Sequence, residues 1–146
     1  MLAHPSSVLY CCTNNSLRSP IAEGLMKFLF GRSTFVDSVG LRAGDLDPFA
    51  VAAMDEIGID ISGHRAKTFD DLEGEAFDLI ISLSPEAQHR AVELTRAAAT
   101  EVEFWNTMDP SVIEGSREVR LDAYRGIRDT LIARMKQRFE QPGALV

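Results

Sequence analysis

Cysteine is scarce in this chain, and the shortage is informative. The 146 residues contain two, Cys11 and Cys12, adjacent in sequence. They have neither the CxxC spacing of a redox pair nor that of a zinc knuckle, and neighbouring strand positions point to opposite faces. A structural disulfide is therefore not expected, and Cys11 reads as a small buried hydrophobe. Positive charge is short as well. Fifteen Lys and Arg against 22 Asp and Glu give a formal net charge of -7, which argues against a general nucleic-acid or anionic-membrane surface. The three histidines, His4, His64 and His89, are scattered without metal-ligand spacing, so no metal is expected and none of them is assigned a role. GxxxxGK and GxGxxG are both missing, which removes support for nucleotide binding and leaves no cofactor implied. The first apolar stretch is only the short VLYCC, without a basic n-region before it. Neither a signal peptide nor a transmembrane helix is expected, and the expected location is the cytoplasm.

What the chain does have is alternation. Strand patterns at 6–12, 34–39, 76–83 and 101–105 are separated by helical patterns at 19–31, 48–57 and 85–96. A long terminal helix follows, with Val119, Tyr124, Ile127, Leu131 and Met135 on one face. In the first helix Ile21, Leu25, Phe28 and Leu29 form the apolar stripe, while Asp47-Pro48 and Gly58 bracket the second. Residues 40–47 read as a loop bordering the site, and 59–72 as irregular structure. Such alternation predicts a parallel sheet with right-handed crossovers, an α/β domain of three layers with helices on both faces. The length fits one domain over residues 1–146. Ligands of such sheets bind at the carboxyl ends of the strands, where the loop after the first strand lies.

That loop carries the chemistry. In VLYCCTNNSLRSPIAE, Val8 to Glu23, a buried strand runs into a polar loop and straight into a helix; Cys12 and Arg18 bracket five residues. Ser19 and Pro20 stand where a cap and a first-turn proline are expected. Amides of Thr13, Asn14, Asn15, Ser16 and Leu17, with Arg18 and Ser19, would then surround one small volume, an anion site that Arg18 can grip with two prongs. A thiol in that setting typically has its pKa lowered to roughly 3.5–7.5, so Cys12 reads as a thiolate nucleophile. Asn15 can take a left-handed backbone and bond loop carbonyls, and Ser19 can donate to the thiolate. Glu23 reads as a first-turn carboxylate that favours the helix dipole.

The run Cys12, Asn15, Arg18, Ser19, Pro20, Ala22 and Glu23 closely resembles the phosphate-binding loop of the low-molecular-weight protein tyrosine phosphatase and arsenate reductase superfamily. DSVG at 37–40, GIDISGHRAK at 58–67, FDLIISL at 77–83 and Asp109-Pro110 extend the resemblance over nearly the whole chain. It implies a four-stranded parallel sheet in the order 2-1-3-4, which brings Asp109 toward Cys12. It also implies roles: Cys12 attacks phosphorus, Arg18 and the loop amides hold the equatorial oxygens, and Asp109 is acid and then base.

The chain also departs from the family pattern. Asn14 stands where the phosphatases usually have Gly, Leu17 where many carry a second, protecting cysteine, and Ser111 and Val112 where tyrosines wall the aryl site. CTxNS and Trp105 look closer to the reductases, but the segment SLSPEAQHRAVEL has no relay cysteines, and Lys67 lies near where those enzymes keep an acidic potassium ligand. The first reading is a phosphatase acting on a phosphorylated protein or small phosphomonoester of the phosphotyrosine type. The alternative is an arsenate reductase drawing on an external thiol such as glutathione or mycothiol, and the third is a non-catalytic oxyanion-binding regulatory module.

Overall fold

The computed structural model describes residues 4–96 and 98–140. Four parallel strands, β1 (Ser7–Cys12), β2 (Phe35–Gly40), β3 (Leu79–Ser82) and β4 (Glu101–Phe104), lie in the order β2-β1-β3-β4. Both central strands are buried throughout β3 and almost throughout β1, as expected for a sheet covered on two sides. Strand alternation divides β1 between two cores. Val8, Tyr10 and Cys12 face the helices α1 (Arg18–Phe30), α2 (Pro48–Asp55) and α4 (Arg117–Phe139), and Leu9 and Cys11 face α3 (Pro85–Leu94) with Phe69 and Phe77. Register sets Cys12 beside Gly40 and Cys11 beside Ser82. The loops after β1 and β2 therefore start level with each other.

Element boundaries shift by a few residues from the sequence expectation, and the reasons are local. α2 keeps its expected start, with Asp47 Oδ1 accepting from the Phe49 amide at 2.8 Å ahead of Pro48. It ends at Asp55 rather than Ile57, and Gly58 then takes φ +81. β3 is shorter than the apolar run that announced it, because residues 76–78 approach the sheet without joining its ladder. On α1 Phe28 is 69% exposed and Met26 is fully buried; on α4 Val119 is 53% exposed and Leu121 is inside. In each case the buried apolar side chain lies two positions from the one expected on the stripe. Residues 69–72, expected to be irregular, form a 3₁₀ turn whose Asp71 Oδ2 accepts from the Thr68 amide at 2.8 Å. No helix among the described residues is long and apolar enough to cross a membrane.

Candidate active site

β1 delivers Cys12 to the edge of the sheet, and the chain turns at once. Hydrogen bonds from the loop after β2 hold the turn: Leu41, Arg42, Gly44 and Asp47 donate to the carbonyls of Cys12, Thr13, Asn14 and Ser16 at 3.2, 3.0, 2.8 and 2.9 Å. With those carbonyls engaged outward, the opposite sides of the peptide planes face the interior of the loop. Asn15 completes the reversal with φ 49, and its amide donates to Cys12 Sγ at 3.3 Å. Gly40 is required here, since a Cβ on it would sit 2.6 Å from both the Asn15 nitrogen and the Arg42 oxygen.

The helix begins earlier than expected. α1 starts at Arg18, Leu17 occupies the cap position without a side-chain bond, and Pro20 is third rather than first. Ser19 is thereby freed from capping: its Oγ lies 2.8 Å from Cys12 Sγ. Glu23 falls outside the first turn and accepts from the Ser38 hydroxyl at 2.5 Å. Arg18 Nη1 donates to the Thr107 carbonyl at 2.9 Å, on the connector that leads from β4 to Asp109, and Thr13 Oγ1 donates to Ser84 Oγ at 3.1 Å.

Beneath the loop lies a polar layer that includes His64, for which no role was expected, and in which the Asn15 side chain donates to hydroxyls rather than to the loop carbonyls expected of it. The Asn15 amide nitrogen Nδ2 donates to Ser19 Oγ and Ser38 Oγ at 2.9 and 3.0 Å. Its Oδ1 accepts from the Lys67 amide at 2.9 Å and faces His64 Nε2 at 3.0 Å. His64 Nδ1 is in turn 3.6 Å from Glu23 Oε1. Burial lowers the His64 pKa against the pull of Glu23; because Asn15 Oδ1 is an acceptor, already taking the Lys67 amide, Nε2 is the ring nitrogen that donates to it. His64 is thus a support of the loop, and GHRAK was its signal in the sequence. The Lys67 ammonium pairs with Asp37. No buried side-chain nitrogen or oxygen among the described residues lacks a partner, which makes the layer a fully satisfied one.

Above the loop opens a cavity of about 490 Å³ whose lining includes Cys12, Arg18, Asp109, Phe49, Arg120 and Tyr124. The three residues expected to act together share this one space, although Cys12 itself is only 2% exposed. Asp109 caps the 3₁₀ turn Pro110–Val112, its Oδ1 accepting from the Ser111 amide and hydroxyl at 3.0 and 2.7 Å. The aromatic wall comes from elsewhere than the positions after Asp109. Phe49 of α2 stacks on Tyr124 of α4 with ring centroids 5.3 Å apart, and the Tyr124 hydroxyl donates to Asp47 Oδ2 at 2.6 Å. Burial first, then Asp47, raise the Tyr124 pKa well above the usual phenol value. Trp105 is core instead, packed against Tyr10 and Phe139. Among the described residues no group of His, Cys, Asp or Glu side chains gathers to hold a metal ion.

Comparison with known proteins meets this geometry. An arsenate reductase of Shouchella clausii is 37% identical over 131 residues, covering 89% of this chain and 92% of that one. Among solved structures, an arsenate reductase in the oxidised state superposes with a TM-score of 0.76 at 28% identity, over 91% and 95% of the two chains. The tyrosine phosphatase Wzb from Escherichia coli K30, solved with sulphate, gives 0.75 at 22% identity over 91% and 95%, a likeness of fold. A family model described as low molecular weight phosphotyrosine protein phosphatase matches residues 7–142, and the chain belongs to that family.

Proposed function

We propose that this protein is a cysteine-dependent phosphatase of phosphomonoesters. The observation that carries the reading is the single cavity holding Cys12, Arg18 and Asp109, over a loop whose Asn15 amide and Ser19 hydroxyl both approach Cys12 Sγ. Those contacts hold Sγ at the floor of the cavity, where a bound phosphate would meet it. Sγ attacks phosphorus, the P–O bond to the leaving group breaks, and the equatorial oxygens rest on loop amides and the Arg18 guanidinium. Asp109 gives its proton to the departing oxygen and afterwards, as carboxylate, takes one from the water that cleaves the cysteinyl phosphate. Arg18 Nη1 also donates to the Thr107 carbonyl, so the side chain that would grip the anion is tied to the connector leading to Asp109. A phosphorylated protein and a small phosphomonoester both remain open as substrates of this chemistry.

A second reading is favoured by the relatives, since the Shouchella clausii protein is named arsenate reductase. Here Sγ would displace water from arsenate, an external thiol would attack Sγ to form a mixed disulfide and release arsenite, and a second thiol would restore Cys12. The only other cysteine, Cys11, faces the opposite core, so both electrons must come from outside thiols such as glutathione or mycothiol. Parallel assays on one preparation separate the readings. Thiol-independent phosphate release supports the phosphatase, thiol-dependent arsenite formation supports the reductase, and binding of phosphate without either product returns the chain to an oxyanion-binding module.

A further inference from the structure

The mouth of the cavity carries an arginine that the reaction above does not use. Arg120 lines the same space as Cys12, and its guanidinium carbon stands 4.6 Å from the centroid of the Phe49 ring, with that of Arg117 at 5.7 Å. Three other arginines of α4 hold carboxylates, Arg125 with Glu56 and Glu118, Arg128 with Glu56 and Asp129, and Arg138 with Glu103, while Arg134 lies over the Trp105 ring. Among the described residues Arg120 and Arg117 form no such pair. Arg120 thus brings a guanidinium without a carboxylate partner into the lining of the cavity, with Arg117 behind it on the same ring.

The wall explains what they could read. Phe49 is stacked on Tyr124 and covered by Arg120, so a substrate ring meets a guanidinium rather than a bare aromatic face. Stacking holds that guanidinium in place without neutralising it, leaving its donors pre-organised for a planar anion. None of the carboxylates lining the cavity pairs with Arg120: Asp47 accepts from the Phe49 amide and the Tyr124 hydroxyl, Asp109 accepts from Ser111, and Asp45 is exposed to solvent, where its charge is screened.

We propose that Arg120, backed by Arg117, binds a second anionic group, a carboxylate or phosphate on the leaving-group side of the substrate. The cavity, whose volume suits a small molecule, then selects phosphomonoesters that carry two anionic groups. The chemistry of this proposal rests on the phosphatase reading, but the selectivity is a matter of binding and is tested apart from turnover.

The probes are benzylphosphonate and its 3- and 4-carboxymethyl derivatives, none of which can be hydrolysed, with affinities measured by calorimetry. Wild type should bind the better carboxylated probe about tenfold more tightly than benzylphosphonate, an advantage that shrinks as salt rises. In Arg120→Gln the advantage should fall to within about twofold, and Arg120→Lys should recover part of it. With the matching phosphates as substrates, the change should appear in KM and not in kcat. Equal affinities in wild type, or an advantage that persists in a normally folded Arg120→Gln protein, overturn the proposal. Probe binding with this pattern but without hydrolysis of the phosphates removes the phosphatase reading and supports the Arg120 site. No binding of any probe removes both.

Discussion

Cys11 and Cys12 are one position apart in β1, yet they meet different surroundings. Burial, and then the nearness of Cys12, push the Cys11 thiol far above its ordinary pKa, and its Sγ faces the Ile81 carbonyl at 3.8 Å inside the α3 side of the sheet. Cys12 faces Ser19 and the Asn15 amide under the open cavity. Iodoacetamide at mildly acidic pH should therefore alkylate Cys12 alone, and phosphate should slow the reaction; peptide mapping that finds Cys11 labelled first would reverse the assignment of nucleophile. Asp109 can be tested by the leaving group. A departing oxygen of high pKa needs a proton in the transition state, an effect worth roughly 10²–10⁴ in rate, whereas an activated aryl oxide needs it much less. Asp109→Asn should accordingly lose far more on phosphotyrosine than in cysteinyl-phosphate formation from an activated aryl phosphate, and breakdown of that intermediate should slow. Rapid-mix kinetics on both substrates would show it, and equal losses on the two would leave Asp109 only the cap of the turn before Ser111.

The loop between β1 and α1 depends on a neighbour that does not touch substrate. Gly40 ends β2 beside Cys12, and a methyl group there would meet backbone atoms of Asn15 and Arg42 at 2.6 Å. Backbone cannot step aside as a side-chain tip can, so Gly40→Ala should cost about 1–3 kcal/mol of stability, as overpacking does. It should also push the Asn15 amide off Cys12 Sγ, weakening phosphate binding in the fraction that still folds. A thermal midpoint and a phosphate affinity both like wild type would show that the loop is held some other way. DSVG was legible in the sequence as a family match, while the reason for its glycine was not, because a contact between residues 40 and 15 belongs to the sheet register. The helix boundaries failed at α1 for a related reason: Ser19 looks like a cap by its type, but its hydroxyl is engaged by Cys12 Sγ and the Asn15 side-chain amide instead. Asp47-Pro48, with no competing duty at the start of α2, began its helix as read.

At the scale of the molecule, alternation of strand and helix was enough to give the architecture, and the resemblance supplied the order β2-β1-β3-β4 found in the sheet. The joint between α2 and α4 was not legible. There Arg125 and Arg128 converge on Glu56, lowering its pKa to about 2, and Tyr124 reaches Asp47, all of them contacts between residues some 70 apart in sequence. The same joint carries Phe49 and Arg120 to the cavity, which is why the wall could not be seen after Asp109, where the family keeps it. The whole chain also decides what oxidation can do. With only two cysteines, one turned to each core of the sheet, Cys12 has no thiol within the molecule to resolve an oxidised sulfur. Peroxide should add oxygen to Cys12 without forming an intrachain disulfide, as intact mass would record. Activity should return on adding an external thiol while the sulfur is at the sulfenic stage, and should be lost permanently once it reaches sulfinic acid. Arsenate offered without any external thiol should yield no arsenite, whereas phosphate release should run unchanged, because water alone resolves a cysteinyl phosphate. Detection of a Cys11–Cys12 disulfide, or of arsenite formed in the absence of thiol, would mean that β1 opens far enough to turn Cys11 toward the site, and the separation of the two cores would have to be abandoned as the basis of the chemistry.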